Sequence, residues 1–400
     1  MIADTETPAR SAGPLAGIRV VDLTHLIAGP FCTMHLADAG ADVVKVEPPE
    51  GEIARHRVPA RDVAGDRLSA YFTAVNRGKR SLVLDLKTDA GQASLERLLT
   101  RADILVTNYR SRALDRLGLG PHGLREKYPS LIVATISAFG HDDATAAAGQ
   151  PGIAIVAEAI SGVTSLAQDR EGRPTWVGFA LGDFVAGLTA FGAVVTALHA
   201  RDTTGQGSYL DISMAESLLA FNGISLAGAM FKHDEDGQWP AERETPVPYG
   251  VYPALDGYVA IGVNSDKFWS SLCDAMGRPD LRSGGLFDTQ KQRMDAREEV
   301  NAIVTGWTQS LGKAAVVRAL NENGVPGAPL NQPEDIIGSE ILAERAALVP
   351  VELNGQRVAI IPAPAMGFPR RDGYVLPRLG QHTAEVLGEL DALDGCGVAS

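Results

Sequence analysis

The sequence predicts an α/β protein, with a doubly wound, Rossmann-like large domain followed by a smaller α+β domain. Three observations carry this. Short apolar strands alternate with helical patterns through the first half of the chain, as parallel βαβ units do. A hairpin pattern followed by three helical patterns occupies residues 249–323. The 400 residues also exceed what one ordinary domain needs.

Each element follows from its residues. Residues 1–14 are polar and read as a disordered leader. "GIRVVDL" is a buried strand, "IAGPFCTMHLADAG" a helix closed by Gly40, and "ADVVKVE" a second strand. That spacing is a βαβ unit with parallel strands. "RSLVLDL" is a strand, "TDAGQASLERLLTRA" a helix and "DILVTNY" a strand. A short helix near 112–118 and the strand "LIVATISAFG" follow. "SYLDISMAESLLAFNG" reads as a strand running into a helix, which closes a large domain over 15–223. The polar "KHDEDGQWPAERETPVP" reads as a linker opening a second region, 224–335. There "YGVYPALDGYVAIGV" is a hairpin around Asp256-Gly257, with helices over 265–276, 295–309 and 312–323. Residues 336–400 hold the strands "VPVELNG" and "RVAIIPA" and a final helix from "TAEVLGELDAL".

The formal net charge of −13 argues against nucleic-acid or anionic-membrane partners, while leaving room for an anionic small ligand in a local basic pocket. Cys32, Cys273 and Cys396 are scattered and lack metal spacing, which suits a reducing cytoplasm. The N-terminal residues show no apolar signal segment. The apolar run 184–200 contains Gly187, Gly192 and His199, and reads as a buried helix rather than a membrane span.

Several stretches could carry chemistry. The first βα turn, "THLIAGPF", lacks the glycines that let a dinucleotide pyrophosphate approach a helix N-terminus. "NRGKRS" places Lys79 and Arg80 in a basic loop before a strand. "NYRSRALDRLGL" places Asn108 and Tyr109 at a strand's carboxyl end, with Arg116 beyond. Either loop alone reads as a solvated turn; together they favour a phosphorylated ligand. Asp183 precedes a helix whose apolar residues recur as Leu188, Phe191, Val195 and Leu198, and an Asp there is an N-cap by base rate. The same helix end favours the ionised carboxylate that covalent catalysis requires. The histidines form no metal pattern; His141 sits in a loop after a strand, in "SAFGHDD".

Taken together, these stretches resemble a family. "PLAGIRVVDLTHLIAGPFCTMHLADAGADVVKVEPPEG" is similar to the N-terminal signature of family III CoA-transferases, of the formyl-CoA and carnitine CoA-transferase type. "NRGKRSLVLDLKTDAG", "NYRSRALDRLGL", "LGDFVAGLTAFGAVVTALHARDTTGQGSYLDISMAES", "PYGVYPALDGYVAIGV" and "NENGVPGAPLNQPEDII" follow in the family's order. The resemblance spans about 14–393. It implies that Asp183 is the nucleophile. It also implies that coenzyme A lies against Ala28, Lys79, Arg80, Asn108, Tyr109 and Arg116, and that the acyl pocket involves Ile27, Ile153, Ala154, Tyr249 and Gly250. It further implies a homodimer of interlocked rings, with residues 336–400 returning to the large domain. Acyl-CoA and small carboxylic acids would be substrates, with no metal or permanently bound cofactor.

The implied reaction moves CoA from an acyl-CoA to a carboxylate through an aspartyl anhydride and an aspartyl-CoA thioester. Backbone N–H groups at the helix start and a glycine-containing loop of the small domain would hold the oxyanions. The same superfamily includes α-methylacyl-CoA racemases, which pair the Asp with a His. Here that position falls on Ile153, which disfavours two-base racemisation. A non-catalytic CoA-binding protein of the same fold is a third reading. Where many transferases carry an acidic pair, this chain has Ile153-Ala154. Glu158 stands where Gln is common, and the formyl-CoA transferase glycine run is replaced by "TPVPYGVY".

Overall fold

The computed structural model describes residues 13–63, 65–141, 150–169, 172–233, 245–282, 284–362 and 373–396. Most of the leader and most of the linker expected from the sequence lie outside these residues. The chain divides into two compact units, one formed by Met1–Gly228 with Ala343–Ser400, the other by Ala229–Leu342.

The first unit is built on six parallel strands: β1 (Arg19–Leu23), β2 (Asp42–Glu47), β3 (Arg80–Val83), β4 (Ile104–Thr107), β5 (Ile132–Ser137) and β6 (Tyr209–Ser213). Their order is β3-β2-β1-β4-β5-β6, with every neighbouring pair parallel. This is the dinucleotide-fold order, although the glycine fingerprint is missing. The strands read as continuous apolar runs because both faces are covered. Val20, Val106 and Ala134 face a core shared with α1 (Ala28–Asp38) and α4 (Leu181–Thr204). Val21, Leu105 and Val133 face the opposite core, with α2 (Asp89–Leu99) and α9 (Thr383–Cys396). A helix not expected from the sequence, α3 (Ala154–Ile160), and α5 (Met214–Phe221) pack against α4.

α4 buries a different face from the one its large residues suggest. Leu188 and Val195 are exposed, while Gly182, Ala186, Gly187, Ala190 and Val194 face inward. The small residues let α1 approach closely: a Cβ on Gly187 would fall 2.7 Å from the Ala28 carbonyl oxygen. Among the described residues α4 is long and apolar enough to cross a membrane, but its small-residue face is packed into this core.

In the second unit, β7 (Tyr249–Ala254), β8 (Gly257–Gly262) and β9 (Gly327–Pro329) form an antiparallel sheet in the order β9-β8-β7. One face packs Tyr252, Val259 and Ile261 on α6 (Asp266–Ala275), α7 (Arg297–Gln309) and α8 (Lys313–Glu322), around Trp269, Val300 and Leu320. In the first unit, β10 (Leu348–Leu353), β11 (Gln356–Pro362) and β12 (Tyr374–Val375) form a further small sheet. It packs against Ala54, Leu68 and Phe72. α9 then lies against β3, where Arg80 bonds Glu385 and Glu389 at 3.0 and 2.9 Å.

Candidate active site

In a doubly wound sheet, ligands bind where the strand order reverses, outside the carboxyl ends of the strands. Here that point lies between β1 and β4. The loop from β1 into α1 is fixed residue by residue by partners from elsewhere in the unit. The Thr24 N–H and hydroxyl both donate to Asp22 Oδ1, and the Thr24 carbonyl accepts from Lys45 Nζ at 2.9 Å. His25 is gripped on both sides by Asn108, whose Oδ1 accepts from the His25 N–H at 2.9 Å and whose Nδ2 donates to the His25 carbonyl at 2.8 Å. The Leu26 N–H donates to Glu52. Leu26 has φ +61°, a left-handed conformation that costs a residue with a Cβ about 1 kcal/mol. Gly29 is required by contact: a Cβ there would lie 2.3 Å from Thr24 Cγ2.

This fixed loop ends at Ile27, which precedes α1 without a side-chain cap. The first N–H groups of a helix have no internal partner. One of them, on Ala28, acts on the Asp183 carboxylate and lowers its pKa. Asp183 is the third residue of α4, so it is not the N-cap expected from the sequence; Ala180 holds that position and makes no side-chain cap. The carboxylate therefore sits in the first turn of α4 and faces the N-terminus of α1. Burial pushes its pKa up, the Ala28 N–H opposes that, and the nearby Glu158 carboxylate adds to it; the result is about 6. Desolvation thus sets the direction of the shift. At pH 7.5 the group is still mostly ionised, yet more basic than an ordinary Asp. Phe184, beside Asp183, meets Phe31 edge-on at 4.9 Å and Phe179 at 6.2 Å.

Glu158, on α3, is 1% exposed. Its two oxygens accept from the Gly182 N–H and Trp176 Nε1, each at 3.0 Å. Its proximity to Asp183 could not be read from the sequence, where 24 residues and a loop separate it from Gly182. His25 was also missed. Its ring stacks on Tyr109 at 5.0 Å and 12°, and its Nδ1 is buried without a hydrogen-bond partner. Burial lowers the His25 pKa. His141 Nε2 lies 3.0 Å from the Tyr109 carbonyl oxygen and Nδ1 lies 3.3 Å from Asp211 Oδ1. These contacts tie His141 to the end of β4 rather than to Asp183.

The structure brings Ala28, Asn108 and Tyr109 to the switch point with Ile27, and leaves Arg116 exposed on a short helix beyond. Lys79 and Arg80 take other roles. Lys79 Nζ is fully buried and donates to Asp22 Oδ2 at 3.0 Å, the Pro30 carbonyl at 2.9 Å and Asn76 Oδ1 at 2.8 Å. An ammonium has three protons, so none is left for a phosphate. Burial, opposed mainly by Asp22, pulls its pKa down to about 8. Burial also acts to raise Asp22, but Lys45, Lys79 and the Thr24 and Thr33 hydroxyls outweigh it and hold the carboxyl far below its usual range. Arg80 makes a paired contact with Asp42 at 2.9 and 2.7 Å and reaches α9. In this conformation Lys79 is held by Asp22, Pro30 and Asn76, and Arg80 by Asp42 and α9.

Ile153 is 67% exposed at the start of α3, and Ala154 is buried there. Tyr249 and Gly250 lie in the second unit, where with Val251, Ala260, Gly262 and Gly327 they line a shallow open depression on the sheet.

A carboxylate held between two helix starts, at the switch point of a doubly wound sheet, is placed to act on a ligand bound at the carboxyl ends of the strands. The model of "CoA-transferase family III" matches residues 15–383, and the chain belongs to that family. It is 36% identical over 390 residues to the succinyl-CoA:mesaconate CoA-transferase of Haloarcula hispanica, covering 94% of this chain and 96% of that one. The succinate–glutarate CoA-transferase of Agrobacterium fabrum is 32% identical, covering 98% of both chains. The crystal structure of a CAIB/BAIF family protein from Brucella suis matches with a TM-score of 0.84 at 28% identity, over 95% of this chain and 100% of that one.

Proposed function

We propose that this protein is an acyl-CoA:carboxylate CoA-transferase with Asp183 as its nucleophile. The observation that carries the reading is the Asp183 carboxylate, basic for an Asp yet ionised at neutral pH, facing the free first turn of α1. Attack on the acyl-CoA carbonyl forms the Asp183–acyl mixed anhydride and expels CoA thiolate. The thiolate then attacks the aspartyl carbonyl, releasing the first acid and leaving an aspartyl-CoA thioester. An acceptor carboxylate attacks that thioester to form a new anhydride and release CoA thiolate. The thiolate attacks the acceptor's carbonyl, and the new acyl-CoA leaves with Asp183 restored. N–H groups at the start of α1 suit the developing oxyanions.

Coenzyme A would lie at the β1–β4 switch point, against Ala28, Asn108 and Tyr109, with Arg116 at its outer edge. The names of the relatives point to succinyl-CoA as donor and a small dicarboxylate as acceptor. Ile27, Ile153 and Ala154 would border the acyl group. The exposed apolar side chains Ile160, Leu188, Val195 and Phe221 support a homodimer, since patches of this kind mark subunit contacts. The free, buried Cys32 and Cys273 suit a reducing cytoplasm.

The test is incubation with a panel of acyl-CoAs, hydroxylamine trapping and peptide mass spectrometry. The expected result is a hydroxamate on Asp183 with succinyl-CoA, absent in Asp183→Asn, which still binds CoA. An active preparation that yields no adduct would overturn the covalent route.

A further inference from the structure

We propose that Glu158 is a positioning residue for CoA transfer: its carboxylate holds the first turn of α4 through Gly182 and sets the charge that Asp183 faces. The inference rests on the reading of Asp183 as nucleophile. Glu158 is almost fully buried, and each oxygen accepts one N–H: Gly182 from the turn that carries Asp183, and the indole of Trp176. Among the described residues, the elements packed against α4 carry other ionisable groups: His35 and Asp38 on α1, Tyr209 and Asp211 on β6, with His141 on Asp211, and Glu216 on α5. Glu158 is the one whose charge acts on Asp183.

The effect is selective along the reaction. Free Asp183 is an anion repelled by Glu158; once acylated or joined to CoA, Asp183 is neutral and the repulsion vanishes. Glu158 therefore disfavours the resting carboxylate relative to the covalent intermediates, and it makes the nucleophile more basic. Its contact with Gly182 also removes one N–H of α4 from the donors open to Asp183, which directs the carboxylate toward Ala28.

The test measures Asp183 ionisation without turnover. Carbodiimide and an amine label protonated carboxyls, and labelling of the Asp183 peptide is followed against pH by mass spectrometry in wild type and Glu158→Gln. The expected result is a lower labelling midpoint in Glu158→Gln. The acid limb of kcat/KM should shift the same way, kcat/KM at pH 7.5 should fall about three- to tenfold, and CoA affinity should be unchanged. Trp176→Phe leaves the charge in place with one donor fewer and should move the midpoint slightly upward, which keeps the test decisive should Glu158→Gln fold poorly. An unchanged or higher midpoint in a Glu158→Gln enzyme that binds CoA normally overturns the inference. Full transfer by Asp183→Asn would instead defeat the nucleophile reading, while the labelling midpoint would still report whether Glu158 governs Asp183.

Discussion

Lys79 separates two accounts of the basic loop, and Lys79→Met decides between them. As a structural cation, Lys79 neutralises the fully buried Asp22 and supplies donors to the Pro30 carbonyl and Asn76. Methionine keeps the length and loses the charge. Asp22 would retain the Thr24 N–H and hydroxyl and the Thr33 hydroxyl, with Lys45 at 3.9 Å as its nearest remaining cation. Breaking a buried ion pair from one side costs about 3–5 kcal/mol. The surviving donors to Asp22 argue for the lower part of that range. The two abandoned acceptors add about 1 kcal/mol each. The expected loss is therefore about 5 kcal/mol, a large share of the ~5–15 kcal/mol that holds a domain folded. Urea denaturation followed by circular dichroism reads this as a lower midpoint at unchanged slope. CoA affinity of the folded fraction should be near wild type. A loss below about 1 kcal/mol together with a tenfold weaker CoA affinity would refute the reasoning, because Lys79 would then leave its cluster to meet the phosphates.

Two further perturbations probe the site. Gly187→Ala puts a Cβ against the Ala28 carbonyl, which is backbone and cannot rotate away; α1 should shift, moving the Ala28 N–H from Asp183. kcat should fall about 100-fold with little change in CoA affinity, and wild-type kcat would count against that alignment. Asp183 itself should destabilise the fold at working pH. Its folded pKa is raised to about 6, so its favourable contribution is complete below the ordinary value of 3.8 and is lost as pH rises through about 6. Asp183→Asn should therefore be more stable than wild type by on the order of 2 kcal/mol at pH 8, after allowance for solvent screening, and nearly equal near pH 3.5. Equal effects at both pH values in thermal melts would show that burial of the charge is not the cause.

The parts of this protein legible in its sequence are those governed by local pattern. The apolar runs of β1, β2, β4 and β5 and the hairpin of β7 and β8 announced themselves by period and turn chemistry. The motif around Asp183 singled it out as the proposed nucleophile through resemblance, not through its local role, since a carboxylate near a helix start reads first as a cap. α3 escaped notice because six apolar or small residues with one Glu carry no distinctive period. The buried face of α4 was misread because the large residues were taken as the core side. Close packing against α1 instead required the small ones.

By itself the sequence determined the fold class and the order of most of the elements, and pointed to one carboxylate as the proposed nucleophile. These depend on periodicities of two and 3.6 residues and on motifs read along the chain. Only the tertiary structure decided what the charges do. Lys79 and Arg80 look alike as donors in a basic loop, yet Asp22 takes one, and Asp42 with Glu389 takes the other, from 309 residues away. Glu158 and Ala28 meet at Asp183 from separate helices, and burial among them moves its proton affinity. A side chain's electrostatics follow from its desolvation and its neighbours in space, and neither is written in its neighbours along the chain.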